Sequence, residues 1–161
     1  MHHTVKKIMD IAMNDITGLG GLMFYGFITL FMLVMISFYP GKFYIKLFFS
    51  LIVAIVLLYI IVIIIRYFYH KDRPNKEEYR NVIERIDASS FPSIHSARVS
   101  ILAVIFTAAF DTIPVLVLFV LMGLAVLFSR YYLKKHFFTD ILGGVVLGLI
   151  IGFAISYFVF W

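Results

Sequence analysis

The sequence predicts an all-α membrane protein: a polytopic bundle of about five transmembrane helices with an amphipathic helix at its N-terminus. Composition is the first observation. Of 161 residues, 63% are hydrophobic and 14% charged, too little polar surface for a soluble domain of this length. The second is that apolar runs recur near the length that crosses a bilayer, about 20 residues. The third is that a single long hydrophilic stretch, residues 66–98, interrupts them. One domain, residues 1–161, accounts for the whole sequence.

Residues 4–17 read as an interfacial helix, because Val5, Ile8, Met9, Ala12, Met13 and Ile16 recur at helical spacing and share one face. Charge mixed into this segment leaves no clean apolar stretch of the kind a cleavable signal peptide needs. The first span covers about residues 20–39 and stops at the turn signal Pro40-Gly41. The second covers about residues 45–65 and ends at Arg66. The third is the weakest, with twelve mostly apolar residues over 99–110. It spans only if its helix begins near Ser93 and carries polar groups in its first turns. After a turn at 111–114, the fourth covers about 115–128, extended by SRYY, and the fifth covers 141–161. Alternation then puts three polar patches on one membrane face: the N-terminal helix, the 66–98 loop and SRYYLKKHFFTD at 129–140.

Several function classes drop out at once. With no cysteine, there are no disulfides, zinc–thiolate sites or thiol nucleophiles. The net charge of +5 suits anionic headgroups or phosphorylated substrates. No soluble basic domain is present to bind nucleic acid. The expected partners are the bilayer and a lipid phosphate substrate.

The shared face gathers Arg66 and Arg73-Pro74, then Pro92-Ser93-Ile94-His95, then Ser129-Arg130, His136 and Asp140. On a helix His136 and Asp140, at i and i+4, would share a face and hydrogen-bond. A carboxylate on one imidazole nitrogen fixes the tautomer and leaves the other as a directed nucleophile or base. His95, from a different helix start, could act as the complementary acid. Arg66, Arg73 and Arg130 offer fork-shaped cations that match phosphate oxygens. Ser93, after Pro92 at a helix start, adds a hydroxyl and backbone N–H groups that favour an anion. These parts describe phosphoryl transfer with neither metal nor cofactor.

The same residues resemble the type 2 phosphatidic acid phosphatase superfamily of membrane lipid phosphatases and vanadium haloperoxidases. Its third signature, SR-x5-H-x3-D, is met at every defined position by Ser129, Arg130, His136 and Asp140. Its second, PSGH, is PSIH here, and its first, K-x6-RP, is Arg66-x6-Arg73-Pro74. The resemblance covers about residues 66–161. It implies that His136 attacks phosphorus to form a phosphohistidine, that Asp140 orients it, and that His95 protonates the leaving oxygen. It also implies that Arg66, Arg73, Ser93 and Arg130 hold the phosphoryl oxygens. Two departures stand out. Arg66 keeps the charge of the family's Lys. Ile94 replaces a Gly that permits close approach or positive φ, which a β-branched residue resists. The family's six helices are expected to be five here.

Simpler readings stand beside these. His70 reads as a hydrogen-bonded interfacial residue. Glu77, Glu78, Arg80, Glu84, Arg85 and Asp87 read as a solvated face, and Lys71, Lys76, Lys134 and Lys135 as headgroup contacts. Arg98 could reach phosphate or snorkel; Tyr131, Tyr132 and Trp161 fit interfacial belts. A rival chemistry would use His95, His136 and Asp140 as two histidines and a carboxylate on a metal, against which the crowded arginines argue. A non-enzymatic rival is a lipid-binding scaffold. Alcohol could also replace water as acceptor, making a phosphotransferase. The headgroup is expected to enter between the third and fifth spans. The small polar cap favours a compact phosphate headgroup; candidate substrates are polyprenyl mono- or diphosphate, toward which the family resemblance leans, phosphatidylglycerol phosphate and phosphatidic acid. The predicted location is a cell membrane. Twelve of the fourteen Lys and Arg residues lie on the site's side, which argues for a cytoplasmic site. The resemblance argues for the extracytoplasmic face, the reading adopted here.

Overall fold

The computed structural model describes residues 2–75 and 78–160, so the expectations for Lys76, Glu77 and Trp161 lie outside the described residues. Among the described residues there are seven α-helices and no strand. They are α1 (His2–Gly18), α2 (Leu22–Phe38), α3 (Lys42–Phe68), α4 (Val82–Ala88), α5 (Ile94–Phe110), α6 (Ile113–Tyr132) and α7 (Phe138–Phe160).

Local chemistry sets the boundaries. Pro40-Gly41 separates α2 from α3 as expected, with Gly41 as the extended N-cap of α3. Asn81 caps α4: its Oδ1 accepts from Glu84 N at 2.8 Å, while Glu84 Oε2 accepts from Arg80 N, just before the cap, at 2.7 Å. Ser93 is the N-cap of α5, so the third span begins where its length requires. Asp111 closes α5 in the left-handed region (φ 47°), and a proline in the first turn opens α6.

Each expected span is a helix, but they differ in how they meet a bilayer. Among the described residues α3, α6 and α7 are each long and apolar enough to cross. Helix α2, at 17 residues, passes that test only jointly with α1, from which it bends by 41°. Helix α5 is also 17 residues long and is the core helix, with both polar and apolar residues buried from Ser96 to Leu102. It packs on α3, α6 and α7, with Ile101, Leu102 and Ile105 meeting Leu47, Leu51 and Leu58 of α3 in the core. Three of the five expected spans thus pass the length test alone, and four do if α1 and α2 form one bent span. The N-terminal helix exposes Val5, Ile8 and Met9 as an interfacial helix should, and it also docks along the end of α6.

The tightest contact joins α5 to α7. A Cβ at Gly148 would collide with Ala97 O and come within 2.8 Å of Ser100 Cβ. One at Gly144 would collide with Ser93 O, and one at Gly152 would lie 2.8 Å from Val104 Cβ. Lipid tails are as apolar as the helices, so such pairs gain stability from close packing that only small residues allow. The stripe also closes the headgroup path expected between the third and fifth spans, because α5 and α7 leave no gap along it.

Gly148→Ala is expected to overpack this crossing at a cost of about 1–3 kcal/mol, lowering the thermal midpoint in detergent by several degrees. Gly26→Ala, with nothing within 4 Å of the added carbon, should shift it far less. Equal midpoints would show that the crossing tolerates a methyl group.

Candidate active site

Three chain segments meet at one end of the bundle: the α3–α5 connection, the start of α5 and the α6–α7 turn. Ser93 N donates to Asp140 O at 3.0 Å, tying the PSIH segment to the first turn of α7. Ile94 is accommodated simply. It is the first residue of α5, and among the described non-glycine residues only Asp111 and Lys134 have positive φ. The backbone there does not need glycine.

His136 and Asp140 do not share a helical face, because α7 begins at Phe138 and His136 precedes it. The side chains are linked through Ser90, which sequence spacing did not flag. Its Oγ donates to Asp140 Oδ2 and lies 3.4 Å from His136 Nδ1. A hydroxyl has one proton and a carboxylate only accepts, so Ser90 accepts from Nδ1–H. The lone pair of His136 is then at Nε2, 3.4 Å from Arg130 Nη2. Asp140, fully buried, also accepts from Phe137 N at 2.9 Å and forms an ion pair with Lys71. Lys71 is thus a partner of the buried carboxylate, not the headgroup contact expected. Its position inside the Arg66-x6-Arg73 gap was the only signal for it.

The arginines divide. Arg66 is buried and directs Nη1 to Ile86 O (3.2 Å) and Asp87 O (3.5 Å), and Nη2 to Pro92 O (3.0 Å). It therefore braces the loop before Ser93 instead of presenting a free fork. Arg73 Nη2 donates to Asp87 O at 2.8 Å. Arg98 neither snorkels nor faces a phosphate pocket: it donates to Gly20 O and Tyr59 Oη, each at 2.8 Å. Ser93 is fully buried, and its Oγ accepts from Ser96 Oγ at 2.9 Å. His95 is half-buried, within electrostatic reach of Arg130, Arg98, His136 and Arg73. His70 fulfils its simpler reading, pairing with Asp72 at 3.2 Å.

Burial, aided by the charges of Arg130 and Arg73 and opposed by Asp140, pushes His136 down from 6.5 to about 3. The ring is neutral near pH 7, as a nucleophile must be. Among the described residues no three His, Asp or Glu side chains cluster as metal ligands, so His95, His136 and Asp140 do not assemble the rival metal triad. The arrangement concentrates fixed positive charge around one neutral imidazole nitrogen, an environment for a phosphoryl group.

The sequence profile of the PAP2 superfamily matches residues 44–161. No curated protein matches the chain. Among solved structures, the first transmembrane PAP2 type phosphatidylglycerolphosphate phosphatase from Bacillus subtilis is similar. Its TM-score is 0.70 at 23% identity, over 93% of this chain and 76% of that one. At that identity the likeness concerns the fold.

Nitrogen NMR of His136 should show a neutral ring with the proton on Nδ1 through pH 5. A folded value below 6.5 means that the ring's contribution to stability is present above pH 6.5 and is lost as pH falls toward 3. Ser90→Ala should remove the Nδ1 tautomer preference. Titration near pH 6.5 in the folded protein would contradict the buried, cation-flanked setting.

Proposed function

The chain belongs to the PAP2 superfamily, as a membrane phosphatase of that family, and from that premise we propose that it hydrolyses a lipid phosphate through a phosphohistidine. The observation that carries this reading is the neutral His136, its Nε2 turned to Arg130 while Nδ1 is held through Ser90 by Asp140. In the first step Nε2 attacks phosphorus and a P–N bond forms. The P–O bond to the lipid breaks, and His95 gives its proton to the leaving oxygen. In the second step water attacks phosphorus and loses a proton to His95, the P–N bond breaks and phosphate departs. Arg130 and Arg73 carry the developing charge on the phosphoryl oxygens, with Ser93 and the backbone N–H groups at the start of α5 beside them. Arg66 acts by bracing the loop and through its field. Asp140 stabilises the charge that His136 gains, and Lys71 pairs with that carboxylate.

Among the described residues the α3–α5 connection at this end carries one short helix, α4, and a cap of that size favours a compact headgroup on a membrane-anchored tail. Polyprenyl diphosphate carries such a headgroup and, with the lean of the family resemblance, is the substrate put forward. Phosphatidylglycerol phosphate is the second reading, favoured by the similar solved structure, which is a phosphatase of that lipid. The catalytic end is placed on the extracytoplasmic face. Since the chain has no native cysteine, single cysteines in the α4 region offer a direct labelling test of that side.

Phosphate release should be measured on polyprenyl diphosphate, phosphatidylglycerol phosphate and phosphatidic acid, with and without EDTA. Release is expected to survive chelation and to be inhibited by vanadate. Loss on chelation, restored by a divalent ion, would return the metal reading. Asp140→Asn should lower turnover by roughly two to four orders of magnitude, with little change in apparent affinity. Because this change strands Lys71, Asp140→Asn is best compared with Asp140→Asn/Lys71→Met. Near-normal turnover in either folded variant would reduce Asp140 to a helix cap. His136→Ala should form no acid-labile phosphoenzyme.

A further inference from the structure

The segment before residue 44 lies outside the family match, yet it touches the candidate site at three heights. Midway along α1, Asp10 pairs with the hydroxyl of Tyr132. At its last turn, Thr17 Oγ1 lies 2.9 Å from Ser129 Oγ and 3.4 Å from Arg130 Nη1. At the elbow into α2, Gly20 O accepts from Arg98 Nη1 at 2.8 Å. Gly20 itself sits so close that a Cβ would lie 2.7 Å from Val126 Cγ1 and 3.2 Å from His95 Cβ. The elbow is thus seated against His95 and Arg98, and the last turn of α1 against Arg130, the arginine that faces His136.

Proton accounting orders the middle contact. Ser129 Oγ donates to Val126 O at 2.7 Å, which commits its single proton. Thr17 therefore donates to Ser129 Oγ, and its lone pairs are left to accept from Arg130, which can only donate. The chain runs from Arg130 through Thr17 and Ser129 to the α6 backbone. Nη1 is held in this way while Nη2 faces His136 Nε2 at 3.4 Å. A planar guanidinium held at one terminal nitrogen keeps the other in a defined plane, which matters for a group that must meet phosphoryl oxygens at a set angle. A valine at residue 17 could fill the same space but would remove this contact.

We propose that Thr17 is a positioning residue for Arg130, so that the N-terminal helix, although outside the family's common core, is a working part of the phosphoryl-binding site. The proposal rests on the phosphatase reading above. It adds a residue that acts through Arg130 and touches no reacting atom.

The test is equilibrium binding of vanadate to the full chain in lipid nanodiscs, with turnover measured in parallel. Thr17→Val is expected to weaken vanadate binding about three- to tenfold, the range for one hydrogen bond, and to raise KM more than it lowers kcat. Thr17→Ser, which keeps the hydroxyl, should recover most of the loss. In an Arg130→Lys background, Thr17→Val should add little, because the fork it holds is already gone. Vanadate binding by Thr17→Val equal to that of the unaltered chain, or a loss that persists in full in the Arg130→Lys background, would overturn the positioning role. A chain that binds no vanadate and releases no phosphate would instead overturn the phosphatase reading, and the Thr17 role with it.

Discussion

Three glycines on one stripe of α7, Gly144, Gly148 and Gly152, bring its backbone against Ser93, Ser96, Ala97, Ser100 and Val104 of α5, and the geometry of the polar end follows from that approach. In hydrocarbon there is little hydrophobic gain in joining two apolar helices, so contact distance and small residues decide which surfaces meet. Here they meet at the register that lets Ser93 N reach Asp140 O. The PSIH segment and the α6–α7 turn are thereby placed together before any charged side chain is considered. Gly143, facing the Phe91 ring, extends the same close approach into the loop.

On that frame the chain buries an unusual amount of positive charge. Arg66, Arg98 and Arg130 are each less than a tenth exposed, and the buried acidic side chain among the described residues is Asp140. Cations so placed need partners. Arg66 finds carbonyls of the α4–α5 connection, Arg98 finds Gly20 O and Tyr59, and Lys71 takes Asp140. Each arrangement also does structural work, since it ties a loop or an N-terminal elbow to a spanning helix. The net field still favours an anion at His136, and it adds to the burial that keeps that ring neutral. Binding a phosphoryl group and readying a nucleophile thus draw on the same charges.

Much of this was legible in the chain. The turn at Pro40-Gly41, the start of α5 at Ser93 and the ordered signatures depend on local spacing and local chemistry, which act over a few residues. The errors have a common physical origin. Treating His136 and Asp140 as helical neighbours assumed that the helix began before His136; Asp140 itself, accepting from Phe137 N, helps start it later. Lys71 and Ser90 belong to a loop whose path no periodicity describes. Arg98 stays open in the sequence because one turn of helix separates it from His95, and its partners lie at the α1–α2 elbow and on α3, far away in sequence.

What the sequence determined by itself is the membrane class, the helix order, the polar face and the residue types for phosphoryl chemistry. Each follows from transfer energies or spacings that a residue carries wherever the chain folds. Only the tertiary structure decided which nitrogen of His136 is free, which arginines brace and which face the nucleophile, and that α5 is the enclosed core helix. It also decided that α1 reaches the site. Those outcomes depend on the close packing of α5 and α7 and on how single protons are shared among Ser90, Thr17 and Ser129, and neither is written in any one segment.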